Sequence, residues 1–195
     1  MFDQSEKSIS FTFFKTHQNT NSMADISIYA PKLIRFEGGY VNNPNDSGGC
    51  TKYGITLATA QQYGLDKNGD GVIDCSDVEL LTPDDFQTVL KGGYWDKWLA
   101  DQINNQSQAE LLVDWFYNSG HPGITIPQGI LGVTQDGQVG PATIAAVNAA
   151  DPQTFFTQVW NARQSFFNTL AQNNPKDQVF LQGWLNRLNQ FSFSA

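Results

Sequence analysis

The stretch Arg35-Phe36-Glu37-Gly38-Gly39-Tyr40-Val41-Asn42-Asn43-Pro44-Asn45-Asp46-Ser47-Gly48-Gly49-Cys50-Thr51-Lys52-Tyr53-Gly54-Ile55-Thr56 decides the reading of this chain. It sets a carboxylate at the end of an apolar helical pattern and stops the helix with a glycine pair. A second carboxylate follows nine residues later in a loop rich in Gly, Asn and Pro. Ile28, Leu33, Ile34 and Phe36 give a short apolar face at roughly helical spacing, in which Pro31 is tolerable only in the first turn. Gly38 and Gly39 supply the positive φ angles that end helices. The expectation is Glu37 in the last helical turn, on the wall of a cleft.

The chemistry of the two carboxyls differs. Glu37 lies between Phe36 and Tyr40, where partial desolvation favours the neutral form that a general acid needs. Asp46 lies in a polar loop within reach of water and backbone donors, and is expected to stay ionised. Two such carboxyls are what cleavage of a glycosidic bond requires. The plainer reading is a solvated helix-end glutamate followed by an ordinary turn.

Glu37-Gly38-Gly39-Tyr40-Val41-Asn42, then Asp46 through Thr56, resembles the signature of the glycoside hydrolase family 108 lysozymes. The usual form reads Glu-Gly-Gly-Tyr, then Asp-Pro-Gly-Gly-Ala-Thr-Asn-Tyr-Gly-Ile-Thr. Ser47, Cys50 and Lys52 depart from it, and none touches the carboxylates. Tyr94-Trp95, the Asp-x-x-x-Asn-Ser-Gly segment from Asp114 to Gly120, and Gly183-Trp184-Leu185-Asn186-Arg187 follow in the family's order. The resemblance therefore spans about residues 26 to 190, and about residues 126–190 resemble the family's C-terminal peptidoglycan-binding segment. It implies a mostly α, lysozyme-like fold with a Gly-rich cleft loop. It also implies hydrolysis of the β-1,4 bond between N-acetylmuramic acid and N-acetylglucosamine in bacterial peptidoglycan.

On that resemblance Glu37 protonates the leaving oxygen. Asp46 either activates water, giving inversion, or stabilises the cationic transition state, and inversion is preferred because a loop carboxylate so placed leaves room for water. Thr51 joins the catalytic set, and either Thr51 or Thr56 holds the water. Tyr40, Tyr53, Thr56, Trp95 and Asn118 are the candidate sugar-binding residues. Core packing is the better reading of Trp95, and helix capping that of Asn118.

The 195 residues suit one domain, from 23 to 195, after a detachable leader, Met1 to Ser22. The apolar knot Phe11 to Phe14 is too short for a signal-peptide core or a membrane span. The expectation is a monomer made in the cytoplasm without a classical signal peptide, acting in the periplasm or on the cell wall, with no membrane partner. A net charge of −8 argues against a nucleic-acid partner. An anionic wall polymer would be gripped by hydrogen bonds and stacking, for which 14 Phe and 5 Trp are available.

A second loop carries metal chemistry. Asp66, Asn68, Asp70, the Val72 carbonyl and Asp77 occupy positions 1, 3, 5, 7 and 12 of an EF-hand-like calcium loop, with Gly71 at the turn position. Asp77 is shorter than the usual bidentate Glu, and the loop has no partner hand, so a structural Ca2+ is expected rather than a sensor. A bridge between Cys50 and Cys75 would tie the two loops together, but sequence does not set the distance a disulfide demands, and a cytoplasmic origin favours free thiols. The histidines, His17 and His121, offer no base for a thiol mechanism. Helices are expected over Thr56 to Tyr63, Asp84 to Lys91 with Gly92-Gly93 as its stop, Gln108 to Asn118, from Pro141, Thr154 to Ala171 as a central buried helix, and Gln178 to Gln190.

Two other classes of function fit the same residues. One is a non-catalytic peptidoglycan-binding module, and the other a calcium-stabilised secretion-accessory protein. Only the hydrolase reading needs the Glu37 carboxyl itself.

Overall fold

The computed structural model describes residues 23–42 and 49–195. The leader and Asp46 lie outside the described residues.

Helix α1 spans Ile26–Leu33, with the Asp25 side chain accepting from the Ser27 N–H as its N-cap. Ile26, Tyr29, Ala30 and Leu33 form its buried face, one per turn in the i, i+3, i+4, i+7 pattern. Ile28 and Phe36, which the sequence reading put on that face, are 49% and 44% exposed. The buried face thus carries a tyrosine and an alanine in place of the larger aliphatics, with Tyr29 donating to Asp114 and lying near Trp95. Pro31 sits inside the helix and not in its first turn. The carbonyl it leaves without a helical partner belongs to Ser27, an exposed residue that water reaches.

Three short antiparallel strands follow in the order β1 (Val41–Asn42), β2 (Cys50–Lys52) and β3 (Ile55–Thr56). Thr51 pairs with Val41 on one side and with Thr56 on the other. The turn between β2 and β3 is Tyr53-Gly54, both at positive φ (53° and 72°), the pattern of a type I′ hairpin. Thr56 then caps α2 (Leu57–Gln62), and the acidic loop leads into α3 (Cys75–Leu80). Helix α4 (Pro83–Leu90) starts at a capping box between Thr82 and Asp85.

Gly92-Gly93 does not stop the chain. Helix α4 runs on through a π-helical turn, Lys91–Trp95, and two 3-10 turns, Asp96–Trp98 and Ala100–Gln102. The glycines leave room there for the Tyr63 ring, since a Cβ on Gly92 would come within 3.2 Å of its hydroxyl. The remaining helices are α5 (Gln106–Ser119), α6 (Pro122–Ile130), α7 (Pro141–Ala149), α8 (Pro152–Asn173) and α9 (Gln178–Leu188).

The central helix is α5, packed against α6, α8 and the π-helical turn. Every residue from Ser107 to Trp115 is buried. Its buried Gln, Glu and Asp side chains find partners, as burial demands, while the Trp115 indole N–H has none among the described residues. Gln108 donates to the Pro152 carbonyl at 3.2 Å, and Glu110 accepts from Lys32 at 2.7 Å. Helix α8, expected to be apolar around its girdle, buries only one side through Phe155, Phe156, Val159, Arg163, Phe167 and Ala171. Residues such as Thr157, Ser165 and Thr169 face solvent. Helices α5 and α6 meet so closely that a Cβ on Gly123 would stand 2.5 Å from the Phe116 nitrogen. One continuous apolar cluster runs from Ala24 to Leu188, so the N-terminal and C-terminal halves share a core.

Candidate active site

Glu37 lies one turn beyond α1 and not within its last turn, with its N–H donating to the Ile34 carbonyl at 3.2 Å. Its side chain is 16% exposed, at the junction of the small sheet and the helices. The Tyr53 N–H donates to the Gly38 carbonyl at 3.1 Å and ties the hairpin to the segment that follows Glu37. A Cβ built on Gly54 would stand 2.9 Å from Glu37 Oε2 and 2.8 Å from the Tyr117 hydroxyl. The turn, the carboxyl and the phenol thus meet at one point.

Burial, then the neighbouring Glu37 charge, pushes the Tyr117 hydroxyl far above its ordinary range, so it remains a hydrogen-bond donor to Glu37. On the other side Arg187 Nη1 lies 3.6 Å from Glu37 Oε1. Its Nη2 and Nε donate to Asp114 Oδ1 at 2.8 and 3.2 Å. The guanidinium carbon stands 5.2 Å from the Phe36 ring centre and 5.6 Å from that of Tyr117. Asp114 is fully buried and also accepts from Arg163 at 2.6 Å and Tyr29 at 2.8 Å. Burial alone would raise its carboxyl, but the two guanidinium charges and their hydrogen bonds hold it below the usual carboxylate range.

The sequence-derived candidates divide. Thr51 and Thr56 face each other across β2 and β3. The Thr56 hydroxyl accepts from the Thr59 N–H as the cap of α2 and shares a hydrogen bond with the Thr59 hydroxyl. Tyr40 and Tyr53 are half-buried against the core, and Lys52 Nζ lies 5.3 Å from the Tyr53 ring centre. Asn118 spends its amide on the Asp114 carbonyl at 2.7 Å, and the cap of α5 is Gly120.

Trp95 is wholly buried, stacked near Tyr29 and donating to Asp101, so it is core and forms no cleft surface. Its neighbour Tyr94 packs 4.7 Å from Tyr117 and feels the Glu37 charge. The π-helical turn rotates the Tyr-Trp pair by one residue from what a regular helix would present. Arg187, Tyr117 and Tyr94 were absent from the sequence-derived site. Arg187 and Tyr117 sit on long helices far along the chain, and the signal each of the three gave was its place in a family motif: Tyr94-Trp95, Asp114 to Gly120, and Gly183 to Arg187.

In the acidic loop Gly71 takes the expected positive φ of 86°. Asp66 accepts from the N–H groups of Gly69 and Gly71 at 2.7 and 2.9 Å, and Asp70 from that of Val72 at 2.8 Å. Asp77 accepts from Lys67 and Asn68 through Oδ1, at 2.8 and 3.1 Å, and caps α3 through Oδ2. Asn68 donates to Asp70 at 3.0 Å. Among the described residues no three Asp, Glu, His or Cys side chains stand grouped as metal ligands. By donor type the set suits a hard cation, because a carboxylate oxygen that accepts one N–H keeps a second lone pair.

Cys50 and Cys75 are joined as a disulfide, with their Cα atoms 5.7 Å apart, fastening β2 to the first residue of α3. The free thiols favoured by a cytoplasmic origin are not what the fold contains. Among the described residues no helix is long and apolar enough to cross a membrane.

Residues 30–120 match the family model "Glycosyl hydrolase 108", and residues 122–189 match "Predicted Peptidoglycan domain". Among solved structures, that of Brucella abortus SagA is similar at 28% identity and a TM-score of 0.66, covering 85% of this chain and 90% of that one. No curated protein sequence matches. The segment that carries Glu37, the hairpin, Asp114 and Tyr117 is thus the one that matches the glycosyl hydrolase 108 model, and the segment that carries Arg163 and Arg187 matches the predicted peptidoglycan domain that follows it.

Proposed function

We propose that the protein is a peptidoglycan hydrolase, a lysozyme that cleaves the β-1,4 bond between N-acetylmuramic acid and N-acetylglucosamine. The observation that carries this reading is the Glu37 carboxyl, largely withdrawn from water and held between the Tyr117 hydroxyl and the Arg187 guanidinium. In this mechanism Glu37 gives its proton to the glycosidic oxygen as the bond to the anomeric carbon breaks. Water adds to that carbon, and its proton passes to Asp46 from the opposite face, which inverts the configuration. Thr51 and Thr56, paired on adjacent strands, are the candidates to hold the water.

The setting is the cell wall or periplasm. A Cys50–Cys75 bridge suits such an oxidising compartment. A structural Ca2+ held by Asp66, Asn68, Asp70, the Val72 carbonyl and Asp77 completes the reading. Its chemistry would be to hold the loop in shape, with no part in bond cleavage.

The test is digestion of purified peptidoglycan by the wild type and by Glu37→Gln, with mass spectrometry of the new reducing ends. The expected result is fragments ending in N-acetylmuramic acid from the wild type alone. Equal release by both variants removes Glu37 from the mechanism. Binding without release by either favours a wall-binding module.

A further inference from the structure

Arg187 lies on α9, within the predicted peptidoglycan domain and outside the segment that matches the hydrolase. It is nevertheless the cation beside Glu37. We infer that Arg187 is a positioning residue of the active site, a preorganised cation that the C-terminal domain lends to the catalytic carboxyl of the N-terminal one. The inference rests on Glu37 being the general acid.

Three restraints fix the guanidinium. Nε and Nη2 are spent on Asp114, its two faces lie against Phe36 and Tyr117, and Nη1 alone is left to face Glu37. Asp114 is in turn locked by Arg163 and Tyr29, so the whole assembly is anchored in the core. The charges also fall one short. Two guanidinium groups, Arg163 and Arg187, share one buried carboxylate, Asp114. One positive charge is left over, and the carboxylate that forms when Glu37 gives up its proton is placed to receive it.

At 3.6 Å the contact is too long for a hydrogen bond, so the cation acts through its field and leaves the Glu37 oxygens able to engage substrate. The chemistry gains at one point. When Glu37 releases its proton to the glycosidic oxygen, a carboxylate forms in a poorly hydrated site, and a cation already in place stabilises it without reorganisation. Arg187 also orients the carboxyl against Tyr117 before the proton moves. Neither matched segment builds this site by itself.

The experiment compares wild type, Glu37→Gln, Arg187→Met and Arg187→Lys as full chains. Folding is followed by near-ultraviolet circular dichroism, binding by co-sedimentation with peptidoglycan, and kcat and KM by reducing-end release. Asp114 keeps Arg163 and Tyr29 as partners, so Arg187→Met should remain folded and bind the wall polymer normally. Its kcat should fall about 100-fold, the usual effect of removing one fixed electrostatic group, with KM nearly unchanged.

Guanidinium chloride at tens of millimolar should restore part of that kcat, and sodium chloride of equal ionic strength should not. A purely structural role would not respond in this way. A folded Arg187→Met that digests at the wild-type rate while Glu37→Gln is dead overturns the inference and leaves the lysozyme reading standing. Equal digestion by wild type and Glu37→Gln overturns both. If Arg187→Met fails to fold, Arg187→Lys decides, because one ammonium cannot reach Asp114 and Glu37 together. Folded Arg187→Lys should lose kcat, and wild-type kcat there overturns the inference.

Discussion

Gly54 stands directly against Glu37, so close that a Cβ on it would lie 2.9 Å from Oε2 and would also strike the Tyr117 hydroxyl. The hairpin turn is thereby the floor of the candidate site, and any side chain there displaces the carboxyl. Gly54→Ala carries a second burden, since its φ of 72° strains any L-residue by about 1 kcal/mol. The expected outcome is a fall in melting temperature of a few degrees and a loss of peptidoglycan digestion of at least about tenfold. Thermal unfolding and reducing-end release measure the two effects separately, and full activity would mean that Glu37 does not work in the position observed.

The buried Asp114 predicts how stability depends on acid. Its folded-state value is depressed, so the stabilisation is present above the unfolded carboxylate value and is lost as pH falls through the folded one. Denaturant midpoints should hold from neutrality to about pH 4 and decline below it. Asp114→Asn leaves Arg163 and Arg187 without their shared counter-charge and should cost about 3–5 kcal/mol at neutral pH. Its decline below about pH 4 should be shallower than that of the wild type, because the linked proton is gone.

The Cys50–Cys75 bridge closes a loop of 25 residues that contains the hairpin turn, α2 and the acidic loop. Chain-entropy arguments assign about 3 kcal/mol to a loop of this size. Unfolding in urea with and without dithiothreitol should show that difference. Activity should fall in the reduced protein under conditions where it is still folded, because Thr51 adjoins Cys50 on β2.

Calcium is expected to act on stability alone. Adding Ca2+ to protein treated with a chelator, at a concentration about 100-fold above the dissociation constant, should add about 2.7 kcal/mol and raise the melting temperature by several degrees. Asp70→Ala should abolish the increment. An unchanged melting curve would remove the ion and leave the loop held by its own Asx hydrogen bonds.

The sequence by itself determined what depends on local chemistry. The caps at Asp25, Thr56, Thr82 and Asp151, the proline starts of α4, α7 and α8, and the Tyr-Gly turn follow from side chains that satisfy their own backbone or fix their own φ. Glu37 was picked out by a local pattern, a carboxyl followed by a glycine pair and a Gly-rich loop, although α1 ends at Leu33 and neither Gly38 nor Gly39 takes the positive φ expected of a helix stop.

Tertiary structure decided what depends on packing. Nothing in α1 announces that Tyr29 turns inward and Ile28 outward, since that choice is made by where Asp114 and Trp95 lie. The π-helical turn, which buries Trp95 and leaves Tyr94 near Glu37, packs its Gly92 against the ring of Tyr63, a residue distant in the chain. Arg187 enters the site from 150 residues away, and its partner Asp114 from 77, counting along the chain from Glu37. Neither separation is visible to a pattern a few residues wide. The convergence of the buried Arg163 and the half-buried Arg187 on the one buried carboxylate of Asp114 is a condition on the folded core, and only the folded core could meet it.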